Sequence, residues 1–399
     1  MIYLTESQAR RLTLSCQGLW GKTPFAKRES GVHQVIEQLG YIQIDTISVI
    51  QRSHHHVCWT RVPTYEPKHL HQLIAEKRVF EYWSHAAAFL PMRDYRFSLP
   101  RKEALRSGKK KHWHERDQQL QRYVLDRIAA EGPLQSRDFD KGDHATSAWW
   151  GWKPAKRALE QLFMEGQLMI QERRNFQKVY EVTERVLPAE IDTRFPTDAE
   201  MARHLIAVFL QAHGLAQEAA FTHLRKSWKK VVRKELKEME EEGLIQEIRI
   251  AESDQSVWVW TEHLEQLPIR KKQAWVHLLS PFDNVVIQRD RLSFLFGFDY
   301  LIECYVPRPK RQFGYFSLPI LFGEEMVGRT DLKADRKKRI LLVQHLWLES
   351  PSAKDDSFIY QLSKKLWEMA RVHDCDSIQV NHIHPPEFRE VLEKSLQEN

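Results

Sequence analysis

The residues best suited to chemistry lie in one short segment, Gly40-Tyr41-Ile42-Gln43-Ile44-Asp45-Thr46-Ile47. If this segment forms a β-strand, its side chains alternate between two faces. Gln43 and Asp45 then share one face, and Ile42 and Ile44 share the other. An amide beside a carboxylate is suited to holding a water molecule and to stabilising a developing positive charge. An ordinary solvent-exposed polar strand gives the same pattern and is the simpler interpretation of it.

Cationic and imidazole side chains follow this segment closely, at Arg52, His54, His55 and Arg61. Such a cluster is typical of a surface that contacts a polyanion, so we predict that these four side chains contact nucleic acid. Asp45 is costly in such surroundings, because a carboxylate repels phosphate. It has a use if it faces a cationic substrate or transition state. The chain is rich in histidine, but no spacing supplies the three ligands of a catalytic zinc site, and we predict no metal.

The composition indicates a folded protein of several domains. The chain has 399 residues, of which 42% are hydrophobic and 29% charged, and this mix excludes wholesale disorder. Its net charge of +6 is compatible with a polyanionic partner. The sequence has no apolar run long enough to span a membrane, no leader pattern and four dispersed cysteines. We therefore expect a cytoplasmic protein without a disulfide framework and without a membrane partner.

An internal repeat indicates how the chain is organised. Each copy has a basic start, apolar positions at helical spacing, a glycine that suits a helix end, and strand-forming residues after it. The matching positions are Lys153, Lys156, Arg157, Leu159, Leu162, Gly166 and Leu168 in the first copy, and Lys230, Arg233, Lys234, Leu236, Met239, Gly243 and Ile245 in the second. Each copy predicts a helix followed by a β-hairpin, which with the preceding helices makes a winged helix-turn-helix.

The predicted fold class is therefore α+β, with tandem winged helix-turn-helix units followed by a C-terminal β-rich domain. A weaker third copy places the first winged helix, with the strand described above, at residues 1–65. The other two units cover 118–190 and 191–268, and 66–117 is a connecting basic helical segment. Residues 269–399 alternate prolines with short aromatic runs, which predicts a sheet or small barrel with a helical tail.

The basic starts of the two repeated helices predict contacts with nucleic-acid phosphates. The candidate side chains are Trp152, Lys153, Lys156 and Arg157 in the first copy, and Lys229, Lys230 and Arg233 in the second. The alternative explanation is that these cations are only solvated helix faces.

Gln43-Ile44-Asp45-Thr46, continuing to Arg52-Ser53-His54-His55, resembles the Gln-apolar-Asp active-site motif of the AlkX (YcaQ) bacterial DNA glycosylases. Their relatives of the AlkZ type carry Gln-apolar-Gln instead. The resemblance extends along most of the chain, through residues 81–86, 149–154, 280–283, 298–300 and 328–333. It implies tandem winged helices with a C-terminal β-barrel-like domain, and a monomer that acts on double-stranded DNA. It also implies excision of alkylated bases and unhooking of interstrand crosslinks, with no metal or cofactor.

The implied chemistry suits the residues. A guanine alkylated at N7 is already cationic, so its glycosidic bond is weak and the departing base needs no proton. Asp45 would stabilise the oxocarbenium-like sugar and orient water, and Gln43 would hold that water or the deoxyribose. No lysine is suited to form a Schiff base, so we expect hydrolysis without strand cleavage. The alternative is a non-enzymatic tandem winged-helix transcriptional regulator, in which Asp45 has no use.

Overall fold

The computed structural model describes residues 2–139, 152–270 and 273–398, without the side chains of Trp152 and Lys153. The fold is α+β, with helices and small sheets alternating along the chain. The first elements are β1 (Tyr3–Leu4), α1 (Glu6–Cys16), α2 (Arg28–Leu39), β2 (Ile42–Gln43), α3 (Ser53–Arg61), α4 (Pro67–Ala75), β3 (Val79–Trp83), β4 (Ala87–Pro91) and α5 (Leu99–Arg106). Thr5 caps α1, and Gly40 ends α2 in the left-handed conformation, at φ 73°.

The first sheet places β2, which carries Gln43, beside a hairpin. Its strand order is β2-β4-β3, and all its pairings are antiparallel. The hairpin β3–β4 lies in the segment 66–117, which we predict to be helical and to serve as a connection. That prediction is wrong for these ten residues, because they complete the sheet that β2 begins. The bounds 1–65 for the first unit stay a prediction.

Two helix–hairpin pairs follow, as the repeat predicts. The second region contains α6 (Gln118–Glu131), α7 (Trp152–Met164), β5 (Leu168–Arg174), β6 (Gln177–Val182) and α8 (Thr183–Val186). The third contains α9 (Asp198–His213), β7 (Leu215–Ala216), α10 (Glu218–Phe221), α11 (Lys229–Glu241), β8 (Ile245–Ile250), β9 (Gln255–Trp260) and α12 (Thr261–Glu265). The N-terminal strand β1 joins the third region's sheet, parallel to β8. The interpretation of the three regions as winged helices stays a prediction.

The C-terminal region is an open sheet covered by helices. Its elements are β10 (Val276–Leu278), α13 (Arg289–Phe296), β11 (Leu318–Phe322), β12 (Glu325–Asp335), β13 (Ile340–Leu348), α14 (Asp356–Val372), β14 (Ser377–His384) and α15 (Phe388–Gln397). The strand order is β10-β11-β12-β13-β14, and the last pair is parallel. The prediction of a barrel-like domain is wrong in this respect, because β10 and β14 are the two edges of the described sheet and do not close it. Across the described residues, no helix is both long and apolar enough to cross a bilayer.

Arg61 on α3 joins the first region to the C-terminal region. Its guanidinium donates to both carboxylate oxygens of Asp283, at 2.7 and 2.9 Å, and both side chains are fully buried. It also donates to the main-chain and side-chain oxygens of Gln17, at 2.8 and 2.9 Å. The prediction that Arg61 contacts nucleic acid is therefore wrong, because its donors are enclosed and already engaged.

Loss of one partner of this ion pair should destabilise the protein strongly. We expect Arg61→Met or Asp283→Asn to lower the free energy of unfolding by about 3–5 kcal/mol, because each leaves a buried polar group without its partner. Arg233→Met is the matched control, since Arg233 pairs with Glu218 at the surface and such pairs contribute about 0–1 kcal/mol. Urea denaturation measures the free energy of unfolding of the natural protein and the three variants. Equal, small losses in all three would contradict the structural role of Arg61.

Candidate active site

The alternation predicted from the sequence is present between Ile42 and Asp45. The two isoleucines, Ile42 and Ile44, are buried in the core of the first region. Gln43 and Asp45 occupy the other positions, and Gln43 lies opposite Ala88 of β4. The regular strand is shorter than the eight residues that we predict, because only Ile42 and Gln43 pair as a strand. The amide therefore stands on the sheet, and the carboxylate stands just beyond its end.

The chain leaves the sheet at Asp45 because that side chain turns it. Asp45 Oδ1 accepts a hydrogen bond from the Ile47 N–H at 2.7 Å, an Asx turn. Ile44 packs in the core of the first region, whereas Ile47 packs against the C-terminal core. The half-buried Asp45 is thereby held where two cores meet. Burial raises the pKa of its carboxyl group, and the Ile47 N–H partly opposes that rise.

His85 orients the amide of Gln43. His85 Nε2 lies 3.0 Å from Gln43 Oε1, and the His85 ring meets the edge of Tyr41 at 5.1 Å between centroids. Burial, with the neighbouring Arg225 and His223, lowers the pKa of His85 to about 4, so its ring is neutral at pH 7. A neutral His85 donates from Nε2 to the amide oxygen. The nitrogen of the Gln43 amide is then the end that can donate to a substrate oxygen.

Residues from two other regions approach this site, and the sequence analysis missed them. Arg225, just before α11, donates from Nη2 to Ser84 Oγ at 3.0 Å, beside His85. Burial raises the pKa of the Cys304 thiol, and the Asp45 charge raises it further, so the loop that carries Cys304 lies near the carboxylate. The side chain of Tyr305 is 80% exposed on the same loop. Of the residues around Gln43 and Asp45, only His85 and Ser84 lie in a segment, 81–86, that the family resemblance had singled out.

Three predicted nucleic-acid contacts are grouped around one cavity. Arg52, His54 and His55 line it together, at the start of α3. Ser53 connects this group to β2, because its Oγ donates to the Gln43 carbonyl at 3.5 Å. His54 is buried, so it faces the cavity and not the outer surface. Whether these residues contact DNA stays a prediction.

The basic helix starts belong to other regions than Gln43 and Asp45. Lys156 and Arg157 are exposed on α7, and Lys229 and Lys230 are exposed on α11. Arg233 is also exposed, but its guanidinium lies 2.6 Å from a carboxylate oxygen of Glu218. The side chains of Trp152 and Lys153 lie outside the described residues. Their predicted contacts with phosphate stay predictions.

The histidines form ring pairs rather than a metal cluster. His345 on β13 stacks with His382 on β14, at 4.9 Å between ring centroids, and Trp347 lies at the same distance from His384 with the two rings tilted. Within residues 2–139, 152–270 and 273–398, no three His, Cys, Asp or Glu side chains are grouped as a metal site requires. The prediction of a metal-free reaction stays a prediction.

Comparison with known proteins gives this geometry a context. Residues 36–372 match the family described as DNA glycosylase AlkZ-like. The chain belongs to the AlkZ-like DNA glycosylase family. Family membership makes the protein a DNA glycosylase of DNA repair, whose substrate is DNA, and argues against the alternative of a non-enzymatic regulator. The fold is similar to that of the Streptomyces sahachiroi DNA glycosylase AlkZ, with a TM-score of 0.64 and 16% identity over 96% of this chain and 100% of that chain.

His85 and Gln43 should behave as one unit in this glycosylase. We expect His85→Ala to slow base excision about 5- to 10-fold, because one hydrogen bond contributes about 1 kcal/mol. In a Gln43→Ala background the same change should have little further effect, because no amide remains to be oriented. Single-turnover excision by the two single variants and the double variant tests this, with His345→Ala as the control. Losses that multiply in the double variant would contradict the coupling.

The raised pKa of Asp45 predicts two effects of pH. The carboxylate form is lost at a higher pH than is usual for aspartate, so excision should slow as the pH falls through that raised value. The unfolded chain releases this proton more readily than the folded one, so ionisation of Asp45 opposes folding. Asp45→Asn should therefore leave stability at neutral pH unchanged or increased. A pH–rate profile and thermal unfolding at pH 7 measure these effects, and a marked loss of stability in Asp45→Asn would contradict them.

Proposed function

We propose that this DNA glycosylase hydrolyses the N-glycosidic bond of cationic N7-alkylated purines and unhooks interstrand crosslinks made through N7. The observation that carries the proposal is the half-buried carboxylate of Asp45 beside the oriented amide of Gln43. We further propose that it acts as a monomer on double-stranded DNA, without a cofactor and without strand cleavage.

One carboxylate is enough when the base leaves as a neutral molecule. Alkylation at N7 places a positive charge on the purine, and cleavage of the glycosidic bond returns the electron pair to the ring. Positive charge then develops on the deoxyribose, and a fixed anion beside the sugar stabilises it. Sugar hydrolysis from an uncharged leaving group needs a second carboxyl group as an acid. Asp45 supplies the anion, and it also accepts a proton from the attacking water.

Gln43 is proposed to position the reacting groups through hydrogen bonds, without carrying a charge. With its oxygen held by His85, its amide nitrogen can donate to the attacking water or to the deoxyribose. Partial burial strengthens the attraction between the Asp45 charge and the developing positive charge of the sugar, because fewer water molecules screen it. Asp45 nevertheless keeps some exposure, which leaves room for a base still linked to the opposite strand.

Binding of the duplex is proposed to involve several regions at once. Lys156 and Arg157 on α7 and Lys229 and Lys230 on α11 are candidates for phosphate contacts, and Arg233 is a further one once it exchanges Glu218 for a phosphate. Trp152 and Lys153 are carried over from the sequence as candidates. Each phosphate contact adds about 0.9 to the slope of log affinity against log salt concentration. Neutral variants at these positions should therefore reduce the slope one step at a time.

The choice of lesion tests the proposal most simply. We expect release of free 7-methylguanine from duplex DNA, and unhooking of an N7–N7 crosslink, with little release of uracil from an otherwise identical duplex. Uracil is uncharged, so its departure needs an acid or a strong anion site that this mechanism does not use. Chromatography of the released bases and denaturing gels of the crosslinked duplex measure the outcome. Uracil release at a rate comparable to 7-methylguanine would refute the mechanism.

A further inference from the structure

A second polar site adjoins the strand that carries Gln43. It is a cavity of about 380 Å³ between α3, α4 and the turn of the β5–β6 hairpin. The side chains that give it its chemistry are Arg52, His54, His55, His71, Arg173 and Phe176. Among the described residues that line it, none carries a carboxylate. The proposed glycosylase mechanism uses none of these groups.

Phe176, at the hairpin turn, holds two cations in place without neutralising them. The Arg52 guanidinium lies 3.9 Å from the centroid of its ring, and the Arg173 guanidinium lies 4.4 Å from it. The ring of His54 stacks parallel to Phe176, at 5.9 Å and 9°. Contacts with an aromatic face orient a guanidinium but leave its full charge. Phe176 therefore places cationic groups of two regions around one space.

Arg52 and Arg173 differ in their electrostatic partners. Arg173 donates to both carboxylate oxygens of Glu81, at 2.7 and 2.8 Å, and Lys178 lies 3.5 Å from the same carboxylate. Within the described residues, no carboxylate pairs with Arg52. The site therefore retains one uncompensated guanidinium, and an anion is the ligand that such a group binds most strongly.

Two buried atoms of the site have no hydrogen-bond partner among the described residues. They are Nε of Arg52 and Nδ1 of His54. Buried polar atoms are almost always paired in folded proteins, so two in one cavity point to a ligand that supplies acceptors. Burial lowers the pKa of His54 well below its usual value, and the charges of His55, Arg173 and Arg52 lower it further. An anion in the cavity would reverse that effect and favour the protonated, donating imidazole.

We propose that this cavity binds one phosphate group, held by Arg52 and His54. Phosphate offers oxygens in several directions, and the planar guanidinium matches two of them. Two sources supply this chemistry, a backbone phosphate of the substrate DNA and free inorganic phosphate. A phosphate supplied by DNA rests on the proposed function. It would hold the DNA strand near Gln43, because Ser53, which lies between Arg52 and His54, contacts the Gln43 carbonyl. The existence of a phosphate site does not depend on catalysis.

The first arm of the test uses inorganic phosphate and the full-length chain. Histidine labelled with ¹⁵N reports the protonation of each ring by NMR. We expect phosphate to raise the protonated fraction of at least one buried imidazole in the natural protein. In Arg52→Met the phosphate dissociation constant should increase at least about tenfold. Lys68→Met is the control, because Lys68 is an exposed cation of α4 that pairs with Glu66 and does not line the cavity.

Arg52→Lys is a second variant that separates a loss of phosphate binding from a loss of the fold. It keeps the charge and loses the forked donors, so phosphate binding should be intermediate between the natural protein and Arg52→Met. Thermal unfolding of each variant shows whether its fold is retained.

The second arm asks whether DNA supplies the phosphate. Duplexes with 7-methylguanine carry one neutral methylphosphonate linkage, moved stepwise along the damaged strand, and binding is measured with Asp45→Asn so that excision does not interfere. We expect the methylphosphonate at one linkage to lower the affinity about tenfold. In the Arg52→Met background the same methylphosphonate should lower the affinity no further. An effect of inorganic phosphate alone would support the site and assign it to free phosphate.

No effect in either arm would overturn the proposal. Neither arm measures base release, so failure of the proposed glycosylase substrate range would leave this test intact. Conversely, a protein that excises 7-methylguanine and shows no response in either arm would retain its proposed function and lose the phosphate site.

Discussion

The buried ion pair between Arg61 and Asp283 is the contact on which the arrangement of the site depends. Two charges removed from water are stable only when each meets the other with good geometry, and a small displacement of either region leaves both unpaired. The neighbouring Asn284 adds a hydrogen bond to the Tyr41 carbonyl at 3.1 Å, and His56 adds one to the Leu278 carbonyl at 2.7 Å. The C-terminal region is thus fixed against both the helix and the strand that flank the segment carrying Asp45.

This fixed alignment explains how Asp45 acquires its environment. Ile44 and Ile47 anchor in different cores, so the carboxylate between them has little freedom, and its only described hydrogen bond is to the Ile47 N–H. Burial without a cationic partner is unfavourable for a carboxylate in the free protein. It becomes favourable when a positive charge arrives, as in a cationic nucleotide. In the proposed mechanism, the fold thus favours a cationic substrate at some cost in stability.

The sequence predicted the local features better than the long-range ones. Alternation of side chains on a strand follows from backbone geometry, so the placement of Gln43 and Asp45 was accessible from the segment alone. The helices with glycine ends and their hairpins were accessible for the same reason. Arg61 was misassigned because nothing near it in the sequence reveals Asp283. The C-terminal sheet was expected to close because the periodicity of a sequence does not determine which strands pair at the edges of a sheet. The approach of Cys304 to Asp45 likewise arises only from tertiary packing.

We propose that the charge of Asp45, and not its shape, drives excision. Single-turnover release of 7-methylguanine by Asp45→Asn, with binding of the same duplex measured in parallel, tests it most directly. We expect excision to slow by about 10²–10⁴-fold, the contribution of a positioned base, while affinity for DNA holds or rises because a negative charge near phosphate is gone. Asp45→Gln should retain more activity than Asp45→Ala, since an amide can still orient water. Full excision by Asp45→Asn with unchanged binding would contradict the account.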